Sequence, residues 1–204
     1  MEKDRNLEKD IIDAAREIFQ EKGYKEATMR DIAGKANINI AMLHYYFRSK
    51  DNLFYIIFDE TFRLLYEKIV DIVASENIEI FEKIRTIVNE YISFFQTNPI
   101  LPQFIVGEII RNPGKIVIRM KNIVNTSIAF KIFSLQLQKE VKKGAIRQTS
   151  ASSLFLNTIS LCVFPIIAQP VIQEVFNIKD SDLEAFIINR KKEVGDFIIN
   201  SLKT

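Results

Sequence analysis

The chain has 204 residues, 48% of them hydrophobic and 26% charged, with a formal net charge of +2. That length is enough to bury roughly 70% of the unfolded chain's surface, and the composition excludes a disordered or collagen-like protein. The single cysteine, Cys162, excludes an intramolecular disulfide framework and fits a reducing compartment.

Helical periodicity dominates from the start. Ile11, Ile12, Ala15, Ile18 and Phe19 recur at spacings of three and four, predicting an amphipathic helix over about 6–22 that stops at Gly23. Thr28 with Asp31 three residues on approximates a capping box, opening a short helix over about 28–35. Asn39 caps a third helix over about 39–46, and Ser49 caps a fourth, long one running to about 74.

Later helices are expected from Phe81 to Phe95, over about 101–110, over about 114–143, from Thr149 or Ser150 to about 168, and over about 181–202. Pro165 should kink or shorten the fourth of these. No segment reads as a strand, so the expected fold is all-α with about nine helices. The most apolar stretch, Leu154 to Ile172, is interrupted by Asn157, Thr158, Ser160, Pro165, Gln169 and Pro170. It reads as a helix buried on most sides rather than a membrane span. The charged start, "MEKDRNLEKD", lacks an apolar signal region, and the expectation is a cytoplasmic protein.

The second and third helices are about eight residues each, too short to be stable alone, and a three-residue turn joins them. They make sense as a helix-turn-helix packed on the first helix and the start of the fourth. The third helix would then enter a DNA major groove. Ala36, Ile38, Leu43 and Phe47 are its core candidates, which leaves Asn39, Ile40, Ala41, Met42 and His44 on the other sides. Between residues 28 and 50 stand Arg30, Lys35, Arg48 and Lys50 against Asp31 alone.

Thr28 to Leu53, "TMRDIAGKANINIAMLHYYFRSKDNL", resembles the helix-turn-helix signature of the tetracycline-repressor (TetR) family of bacterial transcription regulators. Thr28, Arg30, Ile32-Ala33, Ala36, Ile38, Leu43, the aromatic run to Phe47 and "SKDNL" carry the likeness. Gly23-Tyr24 extends it to about residues 8–55. The resemblance implies a DNA-binding domain over 1–50 and an effector-binding and dimerisation domain over 51–204. It implies double-stranded DNA, a small apolar effector and a second copy of the chain as partners, and no cofactor. By this resemblance Thr28 suits a phosphate, Arg30 would reach a phosphate or a base edge, Tyr45, Tyr46 and Lys50 match backbone-gripping positions, and Asn39, Ile40, Ala41 and Met42 match groove-facing ones. Two residues depart from the family pattern: Ala41 stands where most members have Gly, and His44 where most have Tyr. His44 either donates to a phosphate or fills the helix interface.

For the effector, the resemblance points among helices five to seven, where Tyr91, Phe95, Phe104, Glu108 and Phe130 are the candidates and Asn125 a further polar handle. For the dimer it points to the last two long helices, through Leu154, Leu161, Cys162, Phe186, Arg190, Val194 and Phe197. Residues 111–147 carry nine Lys/Arg against Glu140 alone, either a solvated helix face or an attraction for an acidic partner or ligand. A catalytic reading fails on its parts: one His and one Cys far apart in the chain, no metal-ligand cluster, and none of G-x-S-x-G, G-x-x-x-x-G-K-[ST] or G-x-G-x-x-G. The alternative to a DNA-binding regulator is a helical scaffold that binds proteins only.

Overall fold

A computed structural model describes residues 2–123 and 127–204, with side chains from residue 7 onward. Among the described residues there are eleven α-helices, one 3₁₀ turn and no strand. The helices are α1 (Glu2–Glu26), α2 (Met29–Lys35), α3 (Ile40–Phe47), α4 (Lys50–Ala74), α5 (Ile80–Thr97), α6 (Ile100–Arg111), α7 (Pro113–Ile123), α8 (Ser127–Lys142), α9 (Ala151–Ile167), α10 (Gln169–Phe176) and α11 (Leu183–Leu202).

The local signals fold as expected at the N-terminal end. Gly23, at φ 74° and ψ 163°, interrupts α1 in a conformation open essentially to glycine alone. The capping box at Thr28 is complete: the Asp31 amide donates to the Thr28 hydroxyl oxygen (3.1 Å), and the Thr28 amide donates to the Asp31 carboxylate (3.0 Å). Asn39 accepts from the Met42 amide (2.8 Å) and Ser49 from the Asn52 amide (3.1 Å), starting α3 and α4.

Two differences bring the count above nine. The expected helix over 114–143 is described as α7 and α8, with residues 124–126, and so Asn125, outside the described part. A second helix, α10, follows α9 at a bend of 73°. Pro165 denies α9 one backbone donor near its end, and Pro170 suits the first turn of α10, where no donor is needed. Nor is α9 buried on most sides. Leu154, Thr158 and Cys162 face inward, while Leu156 and Phe164 are exposed. No single helix among the described residues is long and apolar enough to cross a membrane; only the bent pair α9–α10 passes on length and composition together.

One core runs through the molecule along α4. Over 25 residues this helix extends about 37 Å. Its start packs on α1, α2 and α3 through Leu53, Phe54 and Phe58, and its far half on α5 and α8 through Leu65, Ile69 and Val73. Its last turn is held by a buried cation. Lys83 of α5, at 0% exposure, donates to the Val73 carbonyl (2.8 Å) and to Gln136 Oε1 of α8 (2.6 Å). A cation suits the negative end of a helix dipole, although burial pulls the Lys83 pKa below its ordinary value. Gln136 in turn donates to the Ile78 carbonyl (2.8 Å), so α4, α5 and α8 meet at one polar knot.

Candidate nucleic-acid interface and internal cavity

The short helix α3 divides its residues sharply. Leu43 and Phe47 are buried, with Ala36 and Ile38 half-buried against the same core. Asn39, Ile40, Ala41, Met42, His44 and Tyr45 are exposed, Tyr45 at 82%. Tyr46 is half-buried, its ring edge-on to Tyr45 at 5.4 Å. Exposed Met42, Ile40 and Tyr45 on a helix with so firm a core face form an apolar surface that water alone does not favour.

Around this surface the polar groups differ in how free they are. Arg30 and Arg48 are exposed and make no ion pair with any described residue. Thr28 is exposed, but its hydroxyl also donates to Asp31 (2.6 Å). Asp31 accepts from Lys22 as well (2.7 Å), and these bonds, Lys22 first, pull its carboxyl down to about 2. Asn39 spends its side-chain oxygen on the α3 cap and keeps its amide donors outward.

Lys50 is the most committed member of the set. Its ammonium donates to the carbonyls of Tyr24 (2.9 Å), Lys25 (3.2 Å) and Ala27 (2.8 Å) and lies 4.8 Å from the Tyr24 ring centroid. Those carbonyls are set free where Gly23 ends the regular part of α1, and Lys50 gathers them. Tyr24 donates to Asp51 beside it, and burial, with Asp51 second, raises the Tyr24 phenol above its usual range. A phosphate at Lys50 would have to displace one of three carbonyls.

His44 is also partly occupied. Its Nδ1 lies 3.0 Å from the Arg48 carbonyl oxygen. A carbonyl only accepts, so Nδ1 carries the proton, and in the neutral ring Nε2 is then a bare acceptor. His44 therefore does not fill the helix interface: it is exposed, and it caps the end of α3.

A cavity of about 590 Å³ lies between α4, α5, α7, α8 and α9, lined among others by Tyr66, Val70, Ile87, Met120, Phe130 and Thr158. Of the five residues expected around an effector, only Phe130 lines it. Tyr91 and Phe95 are buried under 4% exposure in the core of α5, where α4 and α9 pack. Phe104 belongs instead to an aromatic cluster with Tyr24, Phe54, Tyr55 and Phe58, centroids 4.2–5.8 Å apart. Glu108 is buried beside it, accepting from Tyr55 (2.5 Å) and Arg111 (2.8 Å). Spacing put Phe104 and Glu108 on one face correctly, but that face meets α1 and α4, not a cavity. Tyr66 and Met120 were missed because the lining comes from five helices, and no single helix's pattern distinguishes a cavity wall from core.

The expected dimer residues divide as well. Leu154, Cys162 and Val194 are at most 4% exposed within the single chain, so they are core, and burial pushes the Cys162 thiol up to about 12. Leu161, Phe186 and Arg190 are half-buried. Phe197 is 64% exposed, and Phe164 of the neighbouring α9 is 65% exposed.

The Asp31 carboxyl generates a stability prediction. Its folded pKa is depressed, so its contribution is present above the unfolded value near 4 and is lost as pH falls towards 2. Asp31→Asn should lower the melting temperature at pH 7, with the gap from wild type closing between about pH 4 and 2. Thermal unfolding across that range checks it; a gap unchanged down to pH 2 would show that ionised Asp31 does not matter.

Residues 11–55 match the model of "Bacterial regulatory proteins, tetR family". The chain is 26% identical over 170 residues to the Bacillus subtilis (strain 168) "Probable HTH-type transcriptional regulator YttP", covering 81% of this chain and 79% of that one. In fold it is similar to HlyIIR, a hemolysin II transcriptional regulator, at a TM-score of 0.62, 20% identity and 98% coverage of both chains. It is also similar to a TetR/AcrR-family regulator from Thermobifida fusca YX-ER1, at a TM-score of 0.65, 16% identity and coverage of 96% and 97%. Over α1 to the start of α4 the chain thus matches the helix-turn-helix of the TetR family of bacterial transcriptional regulators, and in the rest it is similar to members of that family in its all-helical fold.

Proposed function

We propose that the protein is a cytoplasmic repressor that binds a palindromic operator as a homodimer and leaves it when a small, fairly hydrophobic effector binds. Residues 1–50 act as the DNA-binding domain and residues 51–204 as the effector-binding and dimerisation domain. The observation that carries the reading is the exposed row on α3, backed by buried Leu43 and Phe47 and flanked by Arg30 and Arg48, which pair with no described residue. Ile40, Ala41 and Met42 can meet base edges and methyl groups, and the outward Asn39 amide can donate to a base. Thr28, Arg30, Tyr45 and Tyr46 grip phosphates and set register. Lys50 acts mainly by holding the end of α1 against α4, which fixes where α2 begins.

Dimerisation is supported by the apolar strip of Phe164 on α9 and Phe197 on α11. Phe186 and Arg190 lie three and two turns before Phe197 on its side of the helix. Two recognition helices fit successive major grooves only at about 34–36 Å separation, so a modest change of dimer shape lowers affinity.

A route from the cavity to α1 is built of specific contacts. Met120 lines the cavity, and on the same helix Lys115 and Arg119 lie 4.2 and 4.1 Å from the Tyr55 ring centroid on α4. Arg119 also pairs with Asp59 of α4. Tyr55 donates to Glu108 of α6, and Phe104 of α6 packs on Tyr24 at the end of α1. An effector that shifts α7 thereby biases α4, α6 and the helix-turn-helix together. Couplings of this kind are worth about 1–3 kcal/mol, roughly 5- to 150-fold in DNA affinity.

Three measurements test the reading. Arg30→Ala should weaken binding to all DNA sequences alike and reduce the slope of log K against log salt by about one, whereas Met42→Ala should change which sequence is selected from a random pool. If neither variant alters binding to a palindrome from the gene's own upstream region, α3 is not the reading helix. With its proton on Nδ1 against the Arg48 carbonyl, His44 presents only an acceptor at Nε2, so His44→Gln, whose amide can donate to a phosphate, should raise DNA affinity. Equal affinities for the two proteins would take His44 out of the contact set. Sedimentation should show a wild-type dimer at micromolar concentration and a monomer for Phe164→Glu combined with Phe197→Glu; a monomeric wild type would end the dimer reading.

A further inference from the structure

We infer that the cavity between α4, α5, α7, α8 and α9 selects an anionic amphiphile: an apolar body with a singly charged acidic head that seats at Lys121 and the Tyr66 hydroxyl. The inference rests on the effector reading above and adds the chemical class of the ligand. The cavity of about 590 Å³ is within the size range of small-molecule sites, and its wall is mostly hydrocarbon and ring, including Val70, Ile87 and Phe130. Its charged lining is one-sided. Among the described residues, Lys121 of α7 is there and no carboxylate is, and Lys121 pairs with none of them.

The remaining polar groups lean the same way. Tyr66 of α4 packs its ring on Phe62 and lines the cavity, while its hydroxyl bonds to no described residue. Tyr66 is half-buried, and its free hydroxyl can donate to the oxygen of a ligand head. Thr158 already donates its hydroxyl proton to the Leu154 carbonyl (2.8 Å), so it presents no competing donor to an acidic head. A second, independent observation is the charge of the walls themselves. Helices α7 and α8 carry Lys115, Arg119, Lys121, Lys131, Lys139 and Lys142 against Glu140 alone, and Glu140 pairs with Lys143 (2.7 Å). Two of the cavity's five helices therefore bring an excess of positive charge, which favours anions over organic cations. The hydrophobic body provides affinity, and the head provides the selection between acid, alcohol and amine.

Titration calorimetry of the full-length protein with decanoate, decanol and decyltrimethylammonium tests this with three probes of one chain length. Decanoate should bind about tenfold or more tightly than decanol, as expected for a charge-assisted hydrogen bond, and the ammonium probe should bind most weakly. Lys121→Met, at an exposed position, should bring decanoate to within about threefold of decanol, and Tyr66→Phe should weaken decanoate more than decanol. Val70→Trp, which fills the cavity, should abolish binding of all three. If decanol binds as tightly as decanoate, or decanoate ignores Lys121→Met, the anionic head is wrong while the cavity remains the effector site. If none of the three binds, or Val70→Trp changes nothing, the inference and the cavity assignment fall together.

Discussion

The end of the first helix is the constraint on which the DNA-reading part depends. Gly23 takes a backbone conformation that stops α1, and the carbonyls of Tyr24, Lys25 and Ala27 are left without helical partners. Free carbonyls in partly buried positions are costly, and Lys50 satisfies all three from the first turn of α4. The same ammonium faces the Tyr24 ring, whose hydroxyl donates to Asp51 next to Lys50. Helices α2 and α3, each of only seven or eight residues, are thus bracketed between two points held together by one side chain. Their own caps, Thr28 with Asp31 and Asn39, then need only set local direction.

From that junction α4 carries the consequence outward. It both supports α3 and lines the cavity, and its first half is clasped by α6 and α7 through Tyr55, Asp59 and the Phe104 cluster. Two of these contacts place charges over or beside a ring, and one buries a carboxylate against a phenol. Tyr55 and Glu108 are buried and tied to both neighbours, so a displacement of α7 reaches α4 and α6 through them. At the other end, Lys83 fixes the last turn of α4 to α5 and α8. The helix is consequently anchored at both ends, with its cavity-lining stretch between them.

The DNA-facing half was largely legible in the sequence because its signals are local. A glycine stop, a capping box three residues wide and two apolar positions four apart are each decided within one turn, and all three hold in the structure. The rest of the chain was legible only as helices. Tyr91, Phe95 and Phe104 have the composition expected of a pocket, yet α4, α6 and α9 close over them, while Tyr66 and Met120 remain open to the cavity. An aromatic's periodicity tells which face it occupies, not whether a neighbouring helix covers that face or stops short of it. Leu154, Cys162 and Val194 failed as surface candidates for the same reason.

By itself, then, the sequence determined an all-helical chain, the place and caps of its helix-turn-helix, the exposed row on α3 and the family that this part resembles. The tertiary structure alone decided that Lys50 serves the backbone before any phosphate, and that His44 presents its unprotonated nitrogen outward. It alone decided that Glu108 joins two helices instead of a ligand, and that a cavity with one cation and no acid opens beside α7. Caps and periodicity act through backbone geometry within a few residues, and one chain segment contains all the information they need. Partners of a buried or half-buried polar side chain come from 20 to more than 50 residues away, and only the packed chain brings them together.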